Sequence, residues 1–115
     1  MKFLTKKQIL SVQDLSIEKV DIPAWGGYVY VRPLSSRDRD RWESEIALDR
    51  NSTFDNMRAK LAARSICDEA GELLFTEEDI EALGNKSAQA MDTIFDRLLS
   101  INKIDDQTIG EITGN

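Results

Sequence analysis

The sequence predicts an α+β fold, with an N-terminal β-hairpin followed by a mainly helical bundle of about four helices. Three observations carry this expectation. Tyr28 to Arg32 alternates cleanly, with Val29 and Val31 on one face and Tyr28 and Tyr30 on the other. Pro23-Ala24-Trp25-Gly26-Gly27 precedes it and has hairpin-loop chemistry, since Pro cannot donate to a ladder and Gly accepts positive φ. Beyond Pro33, capping residues stand repeatedly in front of apolar residues at helical spacing.

Taken in order, Ile17 to Ile22 alternates imperfectly and forms the first strand, so the amino-terminal third reads as β. Pro33 ends the second strand. Ser35-Ser36-Arg37-Asp38 matches a capping box with Asp in place of Glu, and the helix behind it runs to about Asp49. Trp42, Ile46 and Leu48 or Asp49 give that helix only a narrow apolar stripe. Asn51 to Thr53 breaks it and caps a second helix, in which Phe54, Met57, Leu61, Ala62 and Ser65 recur on one face with Ile66 beside them. Asp68 to Glu72 is a turn. The run Leu73-Leu74-Phe75 fits either a strand or a buried turn.

Thr76-Glu77-Glu78-Asp79 is the strongest local signal. It combines an N-cap, an acidic N3 residue, and Phe75 and Ile80 at the hydrophobic-staple positions. Its three acids suit the positive end of a helix dipole. Gly84 is placed to end this short helix. Ser87 caps a long helix with the face Ala88, Met91, Ile94, Phe95, Leu98 and Ile101. Asp105, between Ile104 and Ile109, caps a last helix that Gly110 and Gly114 keep short and prone to fraying. The expected organisation is a single domain over 1–105 with a short frayed segment over 106–115, a length that fits one domain of typical size.

Composition removes several function classes. There is no His, hence no His-dependent triad and no His metal ligand. Cys67 is the only cysteine, so neither an intrachain disulfide nor a Cys-based zinc site can form, and a reduced compartment is expected. The net charge of −6 argues against nucleic acid and anionic membrane as partners. No apolar run of export-signal length follows Lys2, Lys6 and Lys7, and none approaches the roughly 20 residues that span a bilayer. The sequons at Asn51 and Asn85 therefore read as helix-start chemistry.

The segment Asp68 to Asp79 has the length of a calcium loop. Ala70 at its third position offers no oxygen, and Leu73 stands where the turn needs Gly, so it reads as a turn followed by an acidic helix start. Glu77, Glu78, Asp79 and Glu81 read as support for that helix start rather than as catalytic carboxylates. No catalytic residue, cofactor or metal is expected. Arg32 to Glu45 interleaves four arginines with four acids, and Arg39–Glu43 and Arg41–Glu45 fall at i,i+4. Interaction with another protein is assigned to Trp25, displayed in the hairpin loop, and to Arg37, Arg41 and Trp42 on the first long helix, because Arg and Trp are favoured interface anchors; the alternatives are a Trp25 folded back over the sheet and arginines on a solvated, ion-paired helix face. Cys67 reads as a small buried hydrophobe at the end of an apolar helix. The stripes Met57–Leu61 and Met91–Leu98 read as core.

The order of these motifs adds a resemblance. The hairpin Val20 to Ser35 running into a helix with Arg37, Asp38 and Glu43 is similar to the start of the tail assembly chaperones of long-tailed bacteriophages and prophages. So are Arg64 to Gly84, Lys86-Ser87-Ala88 to Ile94-Phe95, and then Leu99, Asn102 and Lys103; the similarity spans about residues 5 to 105. The resemblance implies a non-enzymatic assembly factor in the host bacterial cytoplasm. Such a factor binds the long helical tape-measure protein, keeps it soluble and helps recruit the major tail protein. It also implies a longer, frameshift-extended form of the same protein, and self-association into a homo-oligomer that repeats a groove along the client is a further expectation. The competing expectation is a structural tail-completion or head–tail connector subunit of the virion.

Overall fold

The computed structural model describes residues 1–48 and 56–112. The expected break at Asn51 to Thr53, Phe54, the end of the first long helix near Asp49, and Gly114 lie outside the described residues. The α+β class holds. A short helix α1 (Lys6–Ser11) precedes a hairpin of β1 (Glu18–Ile22) and β2 (Gly27–Val31). Five helices follow: α2 (Ser36–Leu48), α3 (Met57–Ala63), α4 (Ile80–Gly84), α5 (Ala88–Ile101) and α6 (Asp106–Ile112). A two-residue strand β3 (Ile66–Cys67) adds to the hairpin, giving a three-stranded antiparallel sheet in the order β1-β2-β3.

The hairpin register pairs Glu18 with Val31, Val20 with Val29 and Ile22 with Gly27. That places Val20, Ile22 and Val31 on the buried face, as the alternation requires. Pro23–Trp25 forms one 3₁₀ turn, which Gly26 closes at φ 69° by donating its N–H to the Pro23 carbonyl at 3.1 Å. Of the Gly pair, only Gly26 uses the left-handed region.

α1 corrects the reading of the amino-terminal third as β. Its cause is a complete capping box: Thr5 N–H donates to Gln8 Oε1 at 2.9 Å, and Gln8 N–H donates to Thr5 Oγ1 at 3.2 Å. A second correction concerns α3, which stops at Ala63. Arg64 and Ser65 N–H groups turn back to the Leu61 and Ala62 carbonyls, tightening the last turn. The chain then straightens, and Arg32 N–H takes the Ser65 carbonyl at 2.9 Å. Ile66 and Cys67 are therefore strand residues rather than the end of a helix. The run at Leu73 is resolved too. Asp68 N–H bonds the Glu72 carbonyl and Leu74 N–H bonds the Ile66 carbonyl, so residues 66–74 form a tight hairpin with a single bridge from Cys67 to Leu73.

The core lies between the inner face of the sheet and α2, α3 and α5. Ile22, Val31, Trp42, Ile46, Leu61, Ile66, Ile94 and Leu98 are among its largest fully enclosed members. The α5 stripe runs Ala90, Met91, Ile94, Phe95 and Leu98; Ala90 replaces the expected Ala88, which lies in the first turn facing solvent. Ser87 caps α5 by accepting from Ala90 N–H at 3.2 Å. At the other end, Ile104 N–H bonds the Leu99 carbonyl and Lys103 N–H bonds the Ser100 carbonyl, with Lys103 at φ 55°. This is a Schellman closure with Lys where Gly is usual. Asn102 ties the ends together: its Oδ1 accepts from Leu34 N–H at 2.9 Å and its Nδ2 donates to the Leu98 carbonyl at 2.8 Å. α6 packs on α2, with Ile109 and Ile112 half-buried against the core.

Candidate interaction surface

The four residues assigned to protein interaction part company in the fold. Trp42 is 0% exposed, and its indole Nε1–H donates to the Met57 carbonyl at 3.4 Å. It is a core residue joining α2 to α3, not a surface anchor. The reason is the narrow stripe itself: with Ile46 it is the only large apolar material α2 offers the core among the described residues. Trp25, Arg37 and Arg41 are exposed. Trp25 sits at the hairpin tip, Arg37 in the first turn of α2, and Arg41 one turn further along.

The interleaved charges of α2 resolve into two sets. Arg39 pairs with Glu43 at 2.9 Å as the i,i+4 spacing predicts. The expected Arg41–Glu45 pair does not form. Glu45 turns instead to Arg64, which is 6% exposed and also meets Glu77 at 3.2 Å and Asp38 at 3.9 Å. Burial would lower the Arg64 pKa, but the hydrogen bonds and charges of Glu45 and Glu77 outweigh it and the pKa is raised. A buried guanidinium needs anions on several sides, and α2 supplies two of them. Asp38 thus faces Arg64 and Arg32 rather than closing the capping box, although its N–H still bonds the Ser35 hydroxyl at 3.1 Å. Arg32 completes the cluster by donating to the Gly71 carbonyl at 2.6 Å. This network is structural, binding α2 to the sheet and to the 66–77 segment.

The carboxylates singled out in the sequence are equally local. Asp68 accepts from the N–H groups of Ala70 and Glu72, which fixes the turn and places Gly71 at φ 86°. Asp79 accepts from Thr76 N–H at 2.8 Å, the reciprocal half of a capping box. Among the described residues no group of three or more Cys, Asp or Glu is arranged to hold a metal ion. Cys67 is buried; burial pushes its thiol pKa up, with Asp68 adding to the rise and Arg32 opposing it. No described helix is long and apolar enough to cross a membrane.

What stands open is apolar surface that the sequence reading passed over. The segment before β1 exposes Phe3, Leu4, Ile9, Leu10, Val12, Leu15 and Ile17, and α1 buries nothing. On the body, the outer face of the sheet exposes Tyr28 and Leu74. A shallow groove there is lined by Tyr28, Tyr30, Cys67 and Leu74, with Asp68 and Glu69 on its rim. Tyr30 stands edge-on to Tyr28 at 5.5 Å, and the Lys19 ammonium lies 4.3 Å over the Tyr28 ring. One signal did mark α1, the Thr5-x-x-Gln8 box followed by Ile9, Leu10 and Val12. By contrast, the stripes Met57–Leu61 and Met91–Leu98 are core, as expected.

Comparison with known proteins places the chain in a family. The family model for the phage tail assembly chaperone, TAC, matches residues 4–112. Comparison with curated proteins found no match. Among solved structures, the bacteriophage HK97 tail assembly chaperone superposes with a TM-score of 0.55 at 21% identity, covering 87% of this chain and 92% of that one. That likeness is one of fold. With the family model spanning the hairpin, the Arg64 cluster and every helix described, this chain belongs to the phage tail assembly chaperones.

Proposed function

We propose that this chain is a non-enzymatic chaperone that binds the tape-measure protein, keeps it soluble, and helps recruit major tail subunits while the tail is built. The observation that carries the reading is the exposed apolar surface on a strongly charged chain. Phe3, Leu10, Val12, Tyr28 and Leu74 stand in solvent while the core of the domain is complete without them. Tyr28 and Leu74 line one shallow groove, and an exposed apolar patch of this kind marks a docking surface for another protein. A long helical client offers amphipathic helices, whose apolar faces lie down on such a surface. The acidic remainder keeps the complex in solution. Assembly as a homo-oligomer, in the host bacterial cytoplasm and alongside a frameshift-extended form, completes the proposal.

Co-expression tests it. The tape-measure protein made alone goes to the insoluble fraction, and made with this chain it stays soluble and co-purifies. A tape-measure protein that remains insoluble at equal expression of both chains contradicts the reading.

A further inference from the structure

We propose that the cleft between α2 and the 73–80 segment, flanked by Arg37 and Arg41, takes an acidic amphipathic helix of a protein partner, with one apolar side chain in the cleft and carboxylates on the two arginines. The inference rests on the functional reading above and deepens it by naming the chemistry of the client helix.

Three observations point to it. First, Arg37 and Arg41 are unpaired. Among the described residues the other arginines all meet a carboxylate: Arg32 and Arg64 share Asp38, Arg39 takes Glu43, Arg58 takes Asp92 and Arg97 takes Glu18. Arg37 and Arg41 stand exposed without one, and the Glu45 spaced for Arg41 serves Arg64. Second, neither is explained by the helix that carries it. Arg37 lies in the first turn of α2, at the positive end of the helix dipole, where a cation is unfavourable. At i,i+4 the two guanidiniums share one face and repel each other. An anion set against both relieves each cost. Third, Arg41 borders a cleft of about 260 Å³ with apolar walls of Ala63, Leu73, Phe75 and Ile80. Small-molecule sites take roughly 300–1,000 Å³, so this volume suits one anchoring side chain rather than a metabolite.

The occupant follows from charge and shape. Asp38 and Glu77 also line the cleft, but Arg64 engages both, at 3.9 Å and 3.2 Å. The charges left to an incoming chain are Arg41 and, one turn earlier, Arg37. Each presents a planar fork of donors that a carboxylate meets in two parallel hydrogen bonds. Two carboxylates one helical turn apart, beside an apolar residue, are what an acidic amphipathic helix carries. Its apolar side chain enters between Leu73, Phe75 and Ile80. On a chain of net charge −6 the two arginines are a local exception, which fixes where on the molecule such a helix lies.

Fluorescence anisotropy tests this, with the full chain titrated into labelled peptides that tile the tape-measure protein in helix-length segments. The peptides that bind are expected to be acidic and amphipathic. Arg37→Glu with Arg41→Glu weakens their binding about tenfold or more, since each reversal replaces an attraction by a repulsion. Added salt weakens wild type in the same direction. Both arginines are exposed, so circular dichroism confirms an unchanged fold. The decisive step is a charge swap: a bound peptide remade with lysines for its acids fails on wild type and binds the reversed variant. Its central apolar residue changed to Ala loses about tenfold or more. Binding that ignores the reversal, or binders that are neutral or basic, overturn the proposal and leave the functional reading standing. So does the absence of any binding peptide while co-expression still keeps the tape-measure protein soluble; if that protein is also left insoluble, both readings fall. Loss of self-association rather than of peptide binding in the reversed variant assigns the arginines to a second copy, and loss of binding to a labelled RNA oligonucleotide assigns them to phosphate. Either result overturns the proposal.

Discussion

Trp42 decides between two accounts of α2. A surface role predicts that its loss spares folding; the core position predicts the reverse. The side chain is fully enclosed and hydrogen-bonded to Met57. Truncation to Ala forfeits burial of a large aromatic and leaves a cavity, about 3–5 kcal/mol. Against a domain stability of roughly 5–15 kcal/mol, that is a large share. At about 2 kcal/mol per molar urea it lowers the midpoint by about 2 M. Trp42→Phe keeps most of the packing and removes the indole's long 3.4 Å bond, while the Met57 carbonyl, at the start of α3, keeps its helix partner, so the loss is smaller, about 1–2 kcal/mol. Urea unfolding followed by circular dichroism measures both. Fluorescence adds an independent readout: in Trp25→Phe the remaining indole emits blue-shifted and resists iodide, whereas in Trp42→Phe the exposed Trp25 is quenched freely. A Trp42→Ala protein with an unchanged midpoint, or a Trp42 open to iodide, refutes the packing argument.

Other predictions follow from single contacts. Arg64→Ala leaves Glu45 half-buried without its cation while Asp38 keeps Arg32, and unfolding in urea registers a loss of about 2–4 kcal/mol, kept below that of a dry pair by the exposure of Glu77. Lys103→Gly relieves a left-handed residue in the Schellman turn and raises stability by about 0.5–1 kcal/mol, after the greater chain freedom of Gly is counted; a thermal melt checks the sign. Asp105 caps α6 through the Thr108 N–H at 2.8 Å and the Thr108 hydroxyl at 2.7 Å, which hold its carboxyl below the ordinary Asp range. Its contribution is therefore present above the unfolded-state value near 3.9 and is lost as pH falls through the lower folded value; Asp105→Ala flattens that part of the acid-stability curve. Cys67 is buried with a raised pKa, so alkylation at mildly alkaline pH is slow in the native protein and fast in urea.

The hairpin and the helix starts were legible because their causes are local. Tyr28 to Arg32 alternates with period two, and Thr76, Ser87 and Asp105 each meet the backbone N–H groups within a few residues of themselves. What escaped was set at a distance or by an unusual residue. Ile66 and Cys67 follow a helical run without a break signal, and only pairing with Tyr30 and Val31 makes them a strand. Glu45 sits at the right spacing for Arg41, yet a buried guanidinium one helix away takes it. Lys103 adopts a left-handed turn that sequence rules assign to Gly or Asn. As for the surface, Trp25, Arg37 and Arg41 emerge in solvent, whereas the helical stripe of Trp42 already marked a core position. The exposure of Phe3 to Ile17 was not readable, since an apolar segment in sequence is ordinarily assigned to a core. It became visible once the core proved complete without it.

The central claim, that this chain handles the tape-measure protein during assembly and leaves the finished tail, meets its most direct test in cells producing the phage. A tagged copy is affinity-purified, and the same cells yield mature particles for mass spectrometry. The account predicts a very long helical protein as the main partner and no trace of this chain in the particles. Stoichiometric presence of the chain in particles, with no long partner recovered, contradicts it and makes the protein a structural tail or connector subunit.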